Sequence, residues 1–463
     1  MKIVLRNLLK IVAGLYLLLP TSLTGEIIDV PTEIATIQAA IDSAAVGDTV
    51  LVAPGTYIEN IDFHGKQLVL ASHFFTTWDT SFIAKTIIDG NADSSTVSIE
   101  SNEPEGTILS GFSIRNGLGT GDWPHVRGGG IHIGLSANPL IQYCYIFDNS
   151  TTGRSDRGAG IFANSQKAII SNCKIFNNTS TSGPGITIGN GSNGTKIDSC
   201  DVYNNTGWDA ILIGYSNNIT INRTKIVDNS ARAFRNHQTN NTKIIHCTIS
   251  GNGEKGFQHA GGAVAGGDTL HIINSIIYAN ADSFEVDNDS LVIATYSIIE
   301  NGSGKMWFRD GCLDTDPHLS VGDYSLANNS PAINAGDPLF PLDPDGSVAD
   351  LGVHFYAQNS TNVQAISAVV PAEIELAQNF PNPFNPATTI AYKVLNPGIV
   401  QLTIYNALGQ RVRGLFRENK AAGEYTIVWN GRDNFGQIVP SGSYFYQIKS
   451  ANFQQTKAMI LLR

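Results

Sequence analysis

Cys144-Tyr-Ile146, Cys173-Lys-Ile175, Cys200-Asp-Val202, Thr224-Lys-Ile226, Cys247-Thr-Ile249, Ser275-Ile-Ile277 and Ser297-Ile-Ile299 repeat one phrase along the chain. Asn149, Asn178, Asn205, Asn229, Asn252 and Asn280 each follow the aliphatic position by three residues, and Phe112-Ser-Ile114 opens the series with Asn116 one place early. By subtraction the copies start 22 to 32 residues apart. Leucine-rich repeats share this period, but these strands are β-branched and carry no Leu consensus.

A second marker precedes the phrase in most copies: Gly128-Gly-Gly-Ile131, Gly158-Ala-Gly-Ile161, Gly183-Pro-Gly-Ile186, Trp208-Asp-Ala-Ile211, Ala231-Arg-Ala-Phe234 and Gly261-Gly-Ala-Val264. Each repeat therefore holds short strands separated by Gly, Asn or Ser turns, with no room for a crossover helix. A coil satisfies such strands, each pairing in parallel with its copy one turn away. Alternation turns Cys and Ile inward and leaves Tyr145, Lys174, Asp201, Lys225 and Thr248 on the other face. Asn suits the turn because it tolerates left-handed backbone and its amide can bond the Asn of the next coil.

Five cysteines leave at least one unpaired within the chain. Stacked parallel Cys have Cβ vectors pointing the same way, which is poor disulfide geometry, and no His or carboxylate shares their row to complete a zinc site. The expectation is a ladder of reduced, buried thiols acting as small hydrophobes.

Toward the N-terminus, Ile37, Ala40, Ile41 and Ala44 have helical spacing. With Val30-Pro31, Gly47-Asp48-Thr49-Val50, Pro54-Gly55-Thr56-Tyr57, Ile87-Ile88-Asp89-Gly90 and Gly111 to Gly117, this stretch resembles the pectin-lyase-like right-handed β-helix proteins. The resemblance runs over about residues 27–356 and implies a fold, with the helix plugging the open N-terminal end, but not an activity.

Residues 357–372 lack turn signals and periodic strands and read as a linker. Beyond it, strands are expected at Thr388–Leu395, Val400–Tyr405, Tyr425–Trp429, Tyr444–Ile448 and Lys457–Leu462, forming an antiparallel sandwich. The phrases Tyr405 to Gln410, Trp429-Asn430-Gly431 and the end Leu462-Arg463 are similar to the C-terminal sorting domain of type IX secretion substrates and to the Ig-like domain of flagellar hook-cap proteins. That resemblance implies export through the type IX machinery to the outside of a gram-negative cell, followed by removal of the domain or surface attachment. A glycan-binding or adhesive Ig-like module is the alternative.

Residues 1–25 read as a signal peptide: Lys2, Arg6 and Lys10 precede an apolar run from Ile11 to Leu19, with Pro20, Ser22 and Gly25 behind it. No other apolar run is long enough to span a membrane, so no transmembrane segment is expected in the mature protein. The resulting expectation is an all-β chain: signal peptide 1–25, right-handed parallel β-helix 26–356, linker 357–372, and a small antiparallel Ig-like β-sandwich 373–463. The net charge of −11 argues against a nucleic-acid partner and disfavours polyanions unless calcium or a local basic patch bridges the charge.

The best local constellation for chemistry lies on neighbouring coils. Asp209 and Arg232 share one repeat position, with Arg235 and His237 on the strand that follows, as weak catalytic candidates. Trp208 stands beside Asp209. With Trp123, His125 and Arg127 in an earlier turn, next to Asp156 and Arg157, it is a candidate for glycan contact. An inter-coil salt bridge among solvated turns is the alternative. Asp343, Asp345 and Asp350 alternate around Gly346 like a calcium loop, without the bidentate Glu that would complete one; a metal-free carboxylate turn is the alternative. The Asp-rich and Gly-His-Gly signatures of β-helix polygalacturonases are missing. Three readings stay open: a secreted or surface protein binding a polysaccharide or surface glycan, a polysaccharide lyase or glycoside hydrolase, and a structural spacer.

Overall fold

The computed structural model describes residues 25–462, apart from 122–125, 153–156, 190, 231, 254–256, 261–268, 282–283, 287–290, 344, 359–373, 396, 407–410, 433–437 and 451–452. The repeats form a solenoid of three parallel sheets. The first runs through 11 strands from Ile27–Val30 to Val292–Thr295. The second has 9, from Ile61–Asp62 to Glu285–Val286, and the third 10, from Gly55–Ile58 to Ile298–Ile299. Each strand bonds its copy in the coils before and after. Ile146 pairs with Ile175, Ile175 with Val202, and Val202 with Ile226.

That register stacks like on like. Ile114, Ile146, Ile175, Val202, Ile226, Ile249, Ile277 and Ile299 form one buried column, each contributing roughly 1.5–3 kcal/mol of burial. Cys144, Cys173, Cys200 and Cys247 lie in the next column, all buried and all free. At the turn, each Asn amide reaches the side-chain oxygen of the Asn one coil on, from Asn149 through Asn280, at 2.9–3.0 Å. The same amide bonds carbonyls of its own and the preceding coil, as Asn205 does with Tyr203 and Ile175, so these buried amides are fully partnered. Gly160 and Gly185 in the second marker are needed because a Cβ there would come 2.5 Å from the backbone oxygen of the next coil.

Both open ends are closed. Ile37, Ala40 and Ile41 of the helix Ile37–Ser43 are fully buried over the first coil. Thr36 accepts from Ala39 N, and the Glu59 carboxylate takes the N–H groups of Ile37 and Gln38. At the far end Trp307 is buried, and Phe308 and Leu313 bridge to Ala294 and Ile298.

Residues 316–356, which the sequence reading counted as β-helix, fold back along the outer face of the third sheet. Thr248 is therefore buried despite its outward register, its hydroxyl accepting from Val353 N at 3.0 Å. Ile276 and Ile298 continue the row as apolar residues and pack with Leu326, Ala332 and Leu351. Two short helices, Phe74–Thr77 and Ser81–Lys85, interrupt an early coil.

The C-terminal strands make a sandwich: Ile374–Leu376, Thr388–Val394 and Gly423–Trp429 against Arg411–Lys420, Gly398–Asn406, Gly442–Ser450 and Phe453–Leu461. The sequence reading lacked Arg411–Lys420, whose charges and Gly414 hide the alternation. Its pairing with Gly398–Asn406 slips register between Leu402 and Thr403 and again between Ile404 and Tyr405.

Candidate functional site

The outward face of the second sheet carries one residue per coil: His132, Phe162, Thr187, Leu212, Arg235 and Gln258, in register. Each lies one residue after the aliphatic end of the second marker, or at its equivalent, because alternation turns that aliphatic inward. Four strand spacings separate His132 from Arg235, about 19 Å along the coil axis.

Asp209 and Arg232 pair as expected, with Arg232 Nε 2.9 Å from Asp209 Oδ1 and Arg235 Nη1 3.9 Å from Oδ2. The Asp209 side chain is 0% exposed. Burial pushes its carboxyl up, against Arg232 and then Arg235 pulling it down. A carboxylate sealed from solvent cannot touch a substrate. Its part here is to hold Arg232, which also bonds Gln258, and to draw in Arg235. The His237 Nε2 lies 3.3 Å from the Tyr215 hydroxyl, the rings edge to face. Trp208, at the other end of the strand Asp209–Gly214 and next to Asp209, is 57% exposed.

Toward the N-terminal side, Arg127 lies over the Phe162 ring at 5.2 Å and bridges to Arg157 on the next coil. Arg157 is held below its ordinary range by burial first, then by Arg127, with Arg235 adding to this and Tyr215 opposing it. Arg157 thus feels both other guanidiniums, and no described carboxylate is among the groups shifting it.

Sequence reasoning missed Glu100, His132, Phe162 and Tyr215. His132 Nδ1 lies 3.1 Å from Glu100 Oε2, although the contact is too far off-axis for a well-aligned hydrogen bond. Burial, then Arg127, draws His132 down to about 4, while burial and then Asp62 and Glu103 raise Glu100. At neutral pH this imidazole is an uncharged base. The signal was available, since the position after the marker's aliphatic residue identifies His132 and Phe162 directly. Trp123, His125 and Asp156 lie outside the described residues.

The third sheet offers a different surface. Phe147, Phe176 and Tyr203 stack at 4.9 and 5.0 Å with planes within 8° of parallel. Their faces are spent on one another along the axis, so they do not offer a flat platform to a sugar ring.

The calcium candidates sit in the folded-back segment. Asp350 accepts the N–H groups of Asn334 and Tyr356, Asp343 that of Asp350, and Asp345 those of Ser347 and Gln358. Backbone donors occupy these oxygens as in a metal-free turn, and no group of three potential ligands gathers anywhere among the described residues.

A three-sheeted parallel coil with capped ends is a β-solenoid. Family models match the right-handed β-helix region at residues 79–207 and 184–316, and the Ig-like domain of the flagellar hook-cap protein FlgD at 395–453. The helix matches together span just over half of the chain, which belongs to the right-handed β-helix family. No curated protein matches it. Among solved structures, it is similar to a pectin methylesterase in complex with a hexasaccharide (10% identity, 63% of this chain and 93% of that one, TM-score 0.34). It is also similar to tailspike protein gp49 of the Acinetobacter baumannii bacteriophage Fri1, a capsular polysaccharide depolymerase (9%, 95% and 78%, TM-score 0.31). The dimeric latent PorU of Porphyromonas gingivalis matches at 22% identity over 21% of this chain and only 10% of its own length, TM-score 0.18. None of these likenesses is high enough to carry a conclusion about this chain's activity.

Proposed function

We propose that the protein is exported and binds a glycan along the outer face of its second sheet. The observation that carries this reading is the strip itself: Arg157 lies close to Arg127, which covers the buried Phe162 ring, and to Arg235 and the exposed Tyr215, while Trp208 is exposed just before Asp209. Fixed guanidiniums and aromatic rings together recognise saccharides bearing acidic or hydroxyl groups. A second reading, a lyase or hydrolase, is favoured by the Glu100–His132 pair, which places a neutral imidazole next to a carboxylate and beside Arg127. A glycan array probed with the full chain, followed by chromatography of the bound glycans, separates the two. Binding without new products supports a binding protein, shorter or unsaturated products support an enzyme, and no binding at all removes both.

The proposed route of export is read from the two ends. Residues 1–24 of the leader-like segment lie outside the described residues, and the tail resembles both FlgD and type IX sorting domains. On this reading the solenoid works outside a gram-negative cell and the sandwich directs it there. Among the described residues, no helix is long and apolar enough to cross a membrane. Fusing a leader and residues 373–463 to an inert reporter tests the route: surface display in a type IX-competent host supports it, and retention refutes it.

A further inference from the structure

At its C-terminal end the last strand of the sandwich, Phe453–Leu461, is apolar on both faces. Met459 and Leu461 point into the sandwich core. Ile460 points the other way, where an isolated sandwich would leave it in water, yet it is only 3% exposed. It is covered by the solenoid. Ala71 and Phe75 close over it, with Val69, Trp78 and Leu462 packed at the edge. The solenoid side is built from outward positions as well: in the strand Val69–Ser72, Leu70 belongs to the solenoid core, while Val69 and Ala71 face out. Phe75 is presented by the short helix Phe74–Thr77, and Trp78 caps that helix in left-handed backbone (φ 59°). An outward-facing isoleucine thus meets an outward-facing alanine and phenylalanine on a separately folded unit.

We propose that this contact is a latch that holds the sandwich on the solenoid and covers its last strand until it opens. The patch is small. Ala71, Phe75 and Ile460 are its buried members, far fewer residues than a permanent interface of standard size uses, so it can open without unfolding either side. A cleft of about 400 Å³ beside it, lined by Thr76, Thr77, Trp78, Phe380, Asn382 and Lys457, brings water to its margin. The other edge of the strand is held within the sandwich, where Phe384 N donates to Ile460 O and Leu462 N to Phe384 O, both at 2.9 Å. Docked, the end of the chain is covered on its outward face. Opened, it presents Ile460 and Leu462 as an apolar strand end. The consequence for export rests on the sorting reading: a machinery that reads this tail must meet the open form.

Hydrogen exchange on the full chain tests the latch, comparing wild type with Ile460→Ser and Phe75→Ser, one substitution on each side. Residues 74–78 should exchange at least tenfold faster in both variants, while 186–188 in the solenoid and 444–448 in the sandwich keep their protection. Wild-type exchange at 74–78 in either variant overturns the latch. Should Ile460→Ser lose protection at 444–448, Phe75→Ser, which leaves the sandwich untouched, decides alone. In an exporting host, the opened variants should reach the surface at least as fast as wild type; slower arrival refutes the covering role. If exchange shows the latch opening but no form reaches the surface, the sorting reading fails and the latch stands.

Discussion

Asn178 donates from Nδ2 to Asn205 Oδ1 at 3.0 Å, and that same oxygen accepts the backbone N–H of Asn178 at 3.0 Å. Asn205 repeats both bonds to Asn229. One side chain thus satisfies two donors of one coil while its own amide reaches the next. Asn205→Leu leaves the buried Asn178 N–H without its acceptor, while Asn178 Nδ2 keeps Ile146 O and Phe176 O, and should destabilise by about 1–3 kcal/mol for the group left unpaired. Asp201→Ala, on the outer face of the same coil, should cost within about 0.5 kcal/mol. Denaturant midpoints of the two variants check this, and equal midpoints would remove Asn205 from the ladder.

The thiol column makes a chemical prediction. Cys144, Cys173, Cys200 and Cys247 are buried and free, and burial pushes Cys247 up to about 12. Alkylation of the native protein should label none of these four, and alkylation in denaturant should label all of them. A disulfide between Cys173 and Cys200 in intact-mass analysis would contradict the stacking.

Asp343 sets a pH dependence of definite sign. Burial first, then Asp350 and Asp345, raise it to about 6, from an unfolded value near 3.9. A carboxyl whose folded value is raised contributes stability that is full below about pH 4 and lost as pH rises through about 6. At this half-buried site solvent screening holds the effect to about 1 kcal/mol. Asp343→Asn keeps an oxygen for the Asp350 N–H and removes the charge. The variant should therefore lack that loss and match or exceed wild type at pH 7, as melting curves at pH 4, 5, 6 and 7 would show. A wild type that gains stability relative to the variant between pH 4 and 7 would reverse the sign and refute the assignment.

Much of the fold was legible because each coil repeats the same physics. Period-two alternation and a recurring turn Asn identify the inward columns without any long-range information, and Ile37, Ala40 and Ile41 declare the cap by their spacing. What escaped was non-repetitive. Residues 316–356 carry no copy of the strand phrase, so no local pattern marks them as a folded-back segment. Their partners, Thr248 among them, lie on coils distant in the sequence. The Asp209–Arg232 pair was readable from register, but its closure to solvent was not, since that depends on the neighbouring Arg235 and Gln258. His132 could be placed from the marker, but Glu100 sits on an earlier coil with no copy of it, so nothing in the pattern brought the two together.

The central claim is that the second-sheet strip is where a glycan binds. The most direct measurement is the affinity of the best array ligand for wild type, Arg157→Ala and Lys174→Ala, by calorimetry on the full chain at fixed salt. Lys174 lies on the outer face of the third sheet, over Tyr145, and serves as the control. Losing a charge-assisted contact of about 1.5–3 kcal/mol should weaken binding by Arg157→Ala roughly tenfold to a hundredfold, with Lys174→Ala unchanged. Undiminished binding by Arg157→Ala, or a comparable loss in Lys174→Ala, would place the ligand elsewhere and contradict the account.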